Sequence, residues 1–183
     1  MKMIALCGAP HAGKTAVQKY LREKYDVAEI DDGWPMRDFA MRHLGLSSAD
    51  VYSADGKAKT VTFPGGQSGT VRWALGEIGV KLTELLGPDA IPEMAFNQAM
   101  RTGYSVGTNF SFGSVRQNQA NFFKKKGAKI VEVVRPGFDV VNTFDRYNTD
   151  AVDITLFNSG SLERLHNLVD QRLGPWLRGE AMS

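Results

Sequence analysis

The stretch Gly8-Ala9-Pro10-His11-Ala12-Gly13-Lys14-Thr15 decides the fold of this chain. It matches the pattern G-x-x-x-x-G-K-[ST], a glycine-rich loop that binds phosphate groups (the P-loop). A short apolar run, Met3–Cys7, precedes the loop, and a helical pattern from Thr15 to Lys24 follows it. This order of strand, loop and helix is the context that the motif requires, and a chance glycine-rich turn would not supply it. The sequence therefore predicts a phosphate-binding site.

Each residue type in the P-loop has a physical role. Gly8 and Gly13 allow a tight backbone turn whose successive N–H groups point into one concavity. The helix that begins at Gly13 adds the positive end of its dipole. Lys14 is expected to reach the β- and γ-phosphates of a nucleotide, and the Thr15 hydroxyl to coordinate Mg²⁺. The predicted cofactor-binding residues of the loop are Gly8, Ala9, His11, Ala12, Gly13, Lys14 and Thr15.

The composition is that of an ordinary globular domain. Of 183 residues, 43% are hydrophobic and 23% are charged, so we expect one domain over residues 1–183. The net charge of +2 is too small to argue for a nucleic-acid surface. Cys7 is the only cysteine, which excludes an internal disulfide, and its place at a strand end favours a small buried residue over a nucleophile. Because no apolar run could span a membrane, we expect a cytoplasmic protein without a membrane partner.

Short β-rich runs alternate with helical patterns along the chain, which predicts a three-layer α/β fold with a parallel sheet. The predicted strands are Met3–Cys7, Val27–Ile30, Tyr104–Thr108, Lys129–Val134 and Asp153–Phe157. A loop over Asn109–Ser114 is predicted at the carboxyl end of the third strand, where open α/β sheets bind ligands. A helix is predicted over Val115–Lys126, and another is predicted to begin after Ser161, a good N-cap residue.

A long insert, about residues 33–101, separates the second and third predicted strands. Its patterns predict helices, including one over Val71–Leu86, and a small hairpin or flap around Lys59–Phe63. The insert carries Arg37, Arg42 and Arg72. Arginine binds phosphate with a two-pronged fork, so these residues suit an acceptor that itself carries phosphate. The layout is that of small kinases, in which such an insert forms the acceptor site.

Two acids, Asp31 and Asp32, follow the second strand and are expected beside the P-loop at the carboxyl edge of the sheet. We predict that Asp31 helps Thr15 to hold the metal, directly or through water, and that Asp32 has a catalytic role; both are expected to line the substrate site. The alternative is a turn and helix N-cap before Gly33. Trp34 and Phe63 are candidates for stacking on an acceptor base, with packing in the core as the alternative for each.

Four motifs together resemble the deoxynucleoside monophosphate kinases of tailed bacteriophages. They read IALCGAPHAGKT at the start, VRWALGE at residues 71–77, GAKIVEVVRPG at residues 127–137 and DITLFNSGSLERL at residues 153–165. The resemblance spans most of the chain. It implies a P-loop kinase fold of the nucleoside-monophosphate-kinase type, with a five-stranded parallel sheet in the order 2-3-1-4-5 and a helical insert that forms the acceptor site and lid.

The resemblance also implies the roles of single residues. ATP and Mg²⁺ would be the cofactors, and a loop shaped by Asn158 and Gly160 would wrap the adenine. Arg135 would stack on the adenine or touch phosphate, unless it is only a solvated strand end. The acceptor phosphate would be clamped by Arg72, with Arg37, and Arg116 would supply further positive charge from a lid-like segment. The residues expected to be catalytic are Lys14, Arg72, Arg116 and Asp32.

One departure from that family leaves alternatives open. The relatives place an acid at the end of the third strand, followed closely by arginine, whereas this chain has Gly107-Thr108-Asn109 there. One alternative is a kinase that phosphorylates 5-hydroxymethyluracil within DNA, using the aromatic loop Phe110–Phe112 and the lysines at 124–126. Another is a nucleotide-binding module without turnover. The resemblance leaves open whether the chain forms a homodimer.

Overall fold

The computed structural model describes residues 1–101, 108–140 and 145–180. The strands in these ranges are β1 (Met3–Cys7), β2 (Val27–Ile30), β3 (Thr60–Thr62), β4 (Ser68–Thr70), β5 (Asn109–Phe112), β6 (Lys129–Val134) and β7 (Ile154–Phe157). The helices are α1 (Lys14–Tyr25), α2 (Trp34–His43), α3 (Ser48–Tyr52), α4 (Ala54–Ala58), α5 (Val71–Leu86), α6 (Ala90–Arg101), α7 (Gln119–Lys125), α8 (Leu162–Arg172) and α9 (Gly174–Arg178).

Five strands form one parallel sheet in the order β2-β5-β1-β6-β7. Counted in chain order among these five strands alone, the order is 2-3-1-4-5, which is the order that the resemblance implied. Every residue of the central strand β1 is buried, because both faces of the sheet are covered by helices. The predicted three-layer α/β fold is therefore confirmed.

Alternate residues of β1 belong to different cores. Met3, Ala5 and Cys7 pack in a core that includes residues of α6 and α7, whereas Ile4 and Leu6 pack in a core that includes residues of α1 and α8. This alternation follows from the two-residue period of a strand. Burial also raises the pKa of the Cys7 thiol to about 12, which fits a packing residue and not a nucleophile.

The insert between β2 and β5 has a small core of its own, formed by residues of α2, α3 and α5 together with Phe63. The predicted hairpin is present as β3 and β4, which pair antiparallel. Two short helices, α3 and α4, precede it in a stretch where the sequence predicted no regular structure. The N-cap of α3 is a capping box between Ser47 and Asp50.

The third strand of the sheet lies later in the chain than predicted. Of the predicted strand, residues 104–107 lie outside the described residues, and Thr108 precedes the observed strand. The loop predicted over Asn109–Ser114 is wrong, since its first four residues are β5. The physical reason is burial: Phe110 pairs with Met3, Phe112 pairs with Ile30, and both phenylalanines are buried in the core.

Helix α7 is shorter than the predicted helix over Val115–Lys126. Gln117 has a φ of 46° and forms a parallel bridge with Tyr147, so the chain is not helical there. Val115 is buried, and its amide donates to the Leu6 carbonyl at 2.9 Å. The residues between β5 and α7 are therefore held against the sheet. Among the described residues, none of the helices combines the length and apolar character needed to cross a membrane.

Candidate active site

The P-loop joins β1 to α1, and its backbone geometry requires glycine at positions 8 and 13. Gly8 has a φ of 136°, and a Cβ there would lie 2.3 Å from the Val133 carbonyl oxygen. Gly13 has a φ of 112°, and a Cβ there would lie 2.7 Å from Asn158 Nδ2. Any other residue would be strained at both positions and would push the loop away from its neighbours. The glycines of the motif thus fix the shape of the loop.

The Lys14 ammonium is folded over the P-loop. Its Nζ donates to the Gly8 carbonyl at 2.7 Å and to the Ala9 carbonyl at 2.8 Å. Burial, with help from the charge of Arg116, lowers the pKa of Lys14 to about 8. Thr15 is exposed in the first turn of α1, as a hydroxyl that reaches a ligand must be. The predicted roles of Lys14 at the phosphates and of Thr15 at Mg²⁺ stay predictions.

Of the two residues predicted to shape the adenine loop, Asn158 contacts the P-loop and Gly160 lies close to Arg164. The Asn158 side chain donates to the Ala12 carbonyl at 2.8 Å, and its backbone amide donates to the Val134 carbonyl at 2.8 Å. At Gly160 a Cβ would lie 2.9 Å from the Arg164 Cδ. Ser161 caps α8 by accepting from the Arg164 amide, as predicted. Asn158 therefore links β7 to the back of the P-loop.

Arg135 lies on the other side of the same loop, at the end of β6. Its guanidinium carbon is 4.6 Å from the centre of the Phe138 ring, and its Nη1 donates to the His11 carbonyl at 3.4 Å. The His11 ring is also near Phe138, with 6.3 Å between the ring centres. Arg135 is thus attached to the P-loop, where a bound nucleotide would be in reach, so its predicted contact with the cofactor stays a prediction.

The neighbouring acids Asp31 and Asp32 have different surroundings. Asp32 is buried, with 5% of its surface exposed, and accepts a hydrogen bond from the Ser114 amide at 2.8 Å. Burial raises the pKa of its carboxyl to about 6, although the charge of Arg116 opposes the shift. Asp31 accepts from Arg37, from the Tyr52 hydroxyl at 2.9 Å and from the Gly33 amide. Its carboxylate holds Arg37 in position, and its predicted role at the metal stays a prediction.

A cavity of about 560 Å³ lies between the insert and the sheet. Its volume is in the usual range for small-molecule sites. Asp32, Arg116 and Asp145 line it, and each of them interacts electrostatically with Lys14, so the cavity adjoins the P-loop. Arg116 forms an ion pair with the buried Asp145 at 3.1 Å. The cavity is therefore where an acceptor would meet the predicted donor site.

Four cationic side chains line the cavity: Arg37, Lys57, Arg72 and Arg116. They come from different parts of the chain, namely α2, α4, α5 and the segment between β5 and α7. Burial and the charges of the three arginines lower the pKa of Lys57 to about 8. Two of these cations already pair with carboxylates, Arg37 with Asp31 and Arg116 with Asp145. The structure thus brings the predicted Arg37, Arg72 and Arg116 into one site.

The rest of the cavity wall includes both polar and apolar residues. Its apolar residues are Met36, Trp73, Leu75, Val80 and Ile91. Trp73 follows Arg72 in the first turn of α5, and Glu77 lies one turn further along the same helix. The cavity therefore combines cationic side chains with apolar ones, which include the aromatic ring of Trp73.

Some predictions for the acceptor site are not supported. Trp34 is only half-buried and does not line the cavity. Arg42 forms an exposed ion pair with Asp38 at 2.8 Å on α2. Phe63 packs in the core of the insert. Sequence reasoning missed Trp73, although the VRWALGE motif contains it, and missed Lys57, for which the irregular stretch before the hairpin gave no signal.

The aromatic loop suggested for a DNA substrate does not exist. Phe110 and Phe112 belong to β5 and are buried, so they cannot stack on nucleic-acid bases. In the lysine run, Lys124 pairs with Asp153 at 2.9 Å and Lys126 lies 5.1 Å from the Phe96 ring centre. These lysines are thus engaged with the body of the domain.

Asp32 lies close to the end of the third strand of the sheet, where the resemblance leads us to expect an acid. After β5 the chain reads Gly113-Ser114-Val115-Arg116, so the arginine follows the strand closely, with no acid between. Asp32 reaches the same place from β2 through its bond with the Ser114 amide. No group of three metal-binding side chains occurs in the described part of the chain. Asp32 and Thr15 nevertheless fit Mg²⁺, which in such sites is held by one or two protein oxygens together with phosphate and water.

No family model and no curated protein sequence matches this chain. Among solved structures, a dephospho-CoA kinase from Campylobacter jejuni is 12% identical, with a TM-score of 0.54 over 98% of this chain and 99% of that chain. A shikimate kinase from Aquifex aeolicus vf5 is 15% identical, with a TM-score of 0.46 over 97% of this chain and 99% of that one. A sugar kinase from Janibacter sp. HTCC2649 is 10% identical, with a TM-score of 0.46 over 100% and 99%. The first likeness establishes a P-loop kinase-like fold; the other two are too distant to support an argument.

Proposed function

We propose that this protein is an ATP-dependent kinase that phosphorylates a deoxynucleoside monophosphate to the diphosphate. The observation that carries the proposal is the set of four cationic side chains in one cavity beside the P-loop lysine. The P-loop supplies the expected ATP site, and the cationic cavity suits an acceptor that already carries a phosphate. The fold agrees with such an activity but does not identify the substrate.

At the donor end, the chain contributes backbone amides, Lys14 and Thr15. The Lys14 ammonium can exchange its two carbonyl partners for phosphate oxygens, because both partners belong to the loop that would hold the nucleotide. Mg²⁺, when bound, would supply positive charge to the β- and γ-phosphate oxygens. Thr15 would hold the ion, and Asp32 would hold it directly or through water. At neutral pH Asp32 is mostly ionised, since its pKa is about 6.

At the acceptor end, arginine forks would orient the substrate. Arg72 and Arg37 are expected to bind the phosphate of the acceptor, with one of its oxygens in line with the γ-phosphorus of ATP. Arg116 lines the cavity and interacts electrostatically with Lys14, so it is expected to stabilise charge on the group in transfer. The nucleophile is a phosphate oxygen, which is already ionised, so the reaction needs positioning and charge more than a strong base.

The apolar residues that line the cavity suit the flat base of a nucleotide. Trp73 lies one residue from Arg72, so a ligand held by the arginine could place its base against the indole ring. Trp73 therefore takes the role that the sequence suggested for Trp34. We also propose that the chain is related to the phage kinases whose motifs it resembles.

Release of ADP in the presence of different acceptors tests the proposal. The purified protein is given ATP, Mg²⁺ and either a deoxynucleoside monophosphate, the matching deoxynucleoside without phosphate, or duplex DNA that contains 5-hydroxymethyluracil. We expect ADP release to rise with at least one monophosphate and not with its matching nucleoside. Stimulation by the modified DNA alone, falling steeply with salt, would favour the DNA kinase. ATP binding without transfer to any acceptor would favour a nucleotide-binding module.

A further inference from the structure

We propose that Lys57, on the short helix α4 of the insert, is a direct ligand of the acceptor's phosphate and takes up a proton when that phosphate binds. The inference rests on the proposed function, because it concerns the same cavity. It adds a residue from a part of the insert that the resemblance did not cover, and it adds a dependence of acceptor binding on pH.

The placement of Lys57 carries the inference. It lines the cavity together with Arg37, Arg72 and Arg116. Among the described residues, no carboxylate forms an ion pair with its ammonium and no acceptor forms a hydrogen bond with it. Lys59, two residues further on, instead pairs with Asp50 at 3.1 Å. Lys57 is thus a partly buried cation that lines the cavity, and none of the described residues forms an ion pair with it.

Helix α4, which carries Lys57, is packed closely against its neighbours. Gly56 lies so close to α3 that a Cβ there would be 2.2 Å from the Ala49 carbonyl oxygen. Ser53 caps α4 by accepting from the Gly56 amide at 2.9 Å. Helix α4 also contacts α5, so the backbone that carries Lys57 is packed against two neighbouring helices.

The charges around Lys57 are mostly positive. Arg72 faces it from α5, Arg37 from α2 and Arg116 from the segment after β5, and all three lower its pKa. Asp31 is the acid that opposes them, but its carboxylate is already bonded to Arg37 and Tyr52.

The acids on the neighbouring short helices do not neutralise Lys57. Asp50 on α3 is bonded to Ser47 and Lys59. Asp55, on α4 itself, is exposed in the first turn. Across the cavity, Asp145 pairs with Arg116, and Asp32 accepts from the Ser114 amide. Glu77 lines the cavity on α5 but is exposed to solvent.

A bound phosphate would raise the pKa of Lys57, because its negative charge would offset the positive charges around the amine. Burial and the three arginines lower the pKa of Lys57 to about 8 in the ligand-free protein. A phosphate dianion among the cations favours the charged amine and raises that pKa. Above about pH 8, Lys57 must therefore gain a proton from the buffer as the acceptor binds, and the bound phosphate remains a dianion. Below about pH 7 the amine is already charged, so proton uptake should be small.

Calorimetry with three variants tests the inference. The P-loop is first filled with a non-hydrolysable ATP analogue and Mg²⁺, and inorganic phosphate or a deoxynucleoside monophosphate is then titrated in. Lys57→Gln removes the charge, Lys57→Arg keeps a cation that does not titrate, and Lys59→Gln is the matched control outside the cavity. Titrations near pH 7 and near pH 9, in buffers with different ionisation enthalpies, report proton uptake. Circular dichroism checks that each variant is folded.

We expect Lys57→Gln to weaken binding by about 10- to 100-fold and Lys59→Gln to leave it unchanged. Wild-type binding should be about tenfold weaker near pH 9 than near pH 7, with proton uptake near pH 9, and Lys57→Arg should remove both effects. Equal binding by wild type and Lys57→Gln would overturn the inference, as would unchanged proton uptake in Lys57→Arg. Lys57-dependent binding without turnover of any monophosphate would instead overturn only the proposed function. A wild-type protein that binds neither probe would overturn both.

Discussion

The backbone amide of Ser114 donates a hydrogen bond of 2.8 Å to Oδ2 of the buried Asp32. This bond joins the carboxyl ends of two neighbouring strands, β2 and β5, beside the P-loop. It brings an acid that follows the second strand of the sheet to the end of the third strand. Under the proposed function, Asp32 would take the place of the acid that the resemblance leads us to expect there.

Asp32 should contribute to activity at a cost in stability. Its pKa is raised from 3.8 to about 6, so ionised Asp32 destabilises the folded state at neutral pH. Asp32→Asn keeps an oxygen that can accept from the Ser114 amide but removes the buried charge. We expect the free energy of unfolding at pH 7 to rise by about 1–3 kcal/mol. We also expect kcat to fall by about 100-fold or more, as for loss of a group that acts on the transferring phosphoryl.

Denaturant unfolding at several pH values checks the stability part. As pH falls from about 6 to about 4, the wild-type carboxyl gains a proton in the folded state, and the advantage of Asp32→Asn should disappear. Asp38→Asn, at an exposed ion pair on α2, is the control and should change stability by less than about 1 kcal/mol. A variant that is less stable than wild type at pH 7 would contradict the account of Asp32.

The alkaline pH profile should report Lys14. Its pKa of about 8 means that the free enzyme loses this charge as pH rises through that value. With acceptor saturating, kcat/KM for ATP should fall by about tenfold per pH unit above pH 8. The fall of kcat itself should occur at higher pH than the fall of kcat/KM, because bound phosphates favour the charged form of the Lys14 amine. Initial rates from pH 6.5 to 9.5 in Lys57→Arg, which lacks the second titrating lysine, isolate the effect. A flat profile would contradict it.

Arg72 should act on the acceptor and not on ATP. Arg72→Ala is expected to lower kcat/KM for the acceptor by about 10- to 100-fold, since a charge-assisted bond to phosphate is lost. KM for ATP should change by no more than about twofold. Arg42→Ala is the matched control, because Arg42 also lies in the insert but pairs with Asp38 outside the cavity. Steady-state kinetics with each substrate varied separates the two. If only the KM for ATP rises, the clamp is misassigned.

Much of the fold could be predicted because it depends on local patterns. The bounds of β1, β2, β6 and α5 agree with those predicted from apolar periodicity and turn residues. The third strand was misplaced because two adjacent stretches both carry strand-forming residues. Pairing of Met3 with Phe110, across a large separation in sequence, decides between them. A single sequence contains no direct signal for that register.

The donor half of the site was also predictable, whereas the acceptor half was predictable only in part. The residues of the P-loop are adjacent in sequence, so a single motif identifies all of them. The cations of the cavity come from four separated segments, and only folding brings Lys57 near Arg116. Trp34 and Trp73 could not be ranked from sequence alone. Their difference is the helix face on which each lies, and that is set by tertiary packing.

The most direct test of the central claim is transfer of label from γ-labelled ATP to a deoxynucleoside monophosphate by wild type and Lys14→Ala. We expect labelled diphosphate from wild type and none above background from Lys14→Ala, because the charge that neutralises the transferring phosphoryl is removed. Circular dichroism should show the variant folded, since the two hydrogen bonds that the Lys14 ammonium donates go to carbonyls of the loop itself. Near-normal transfer by Lys14→Ala, or no labelled diphosphate from wild type with any of the monophosphates, would contradict the account.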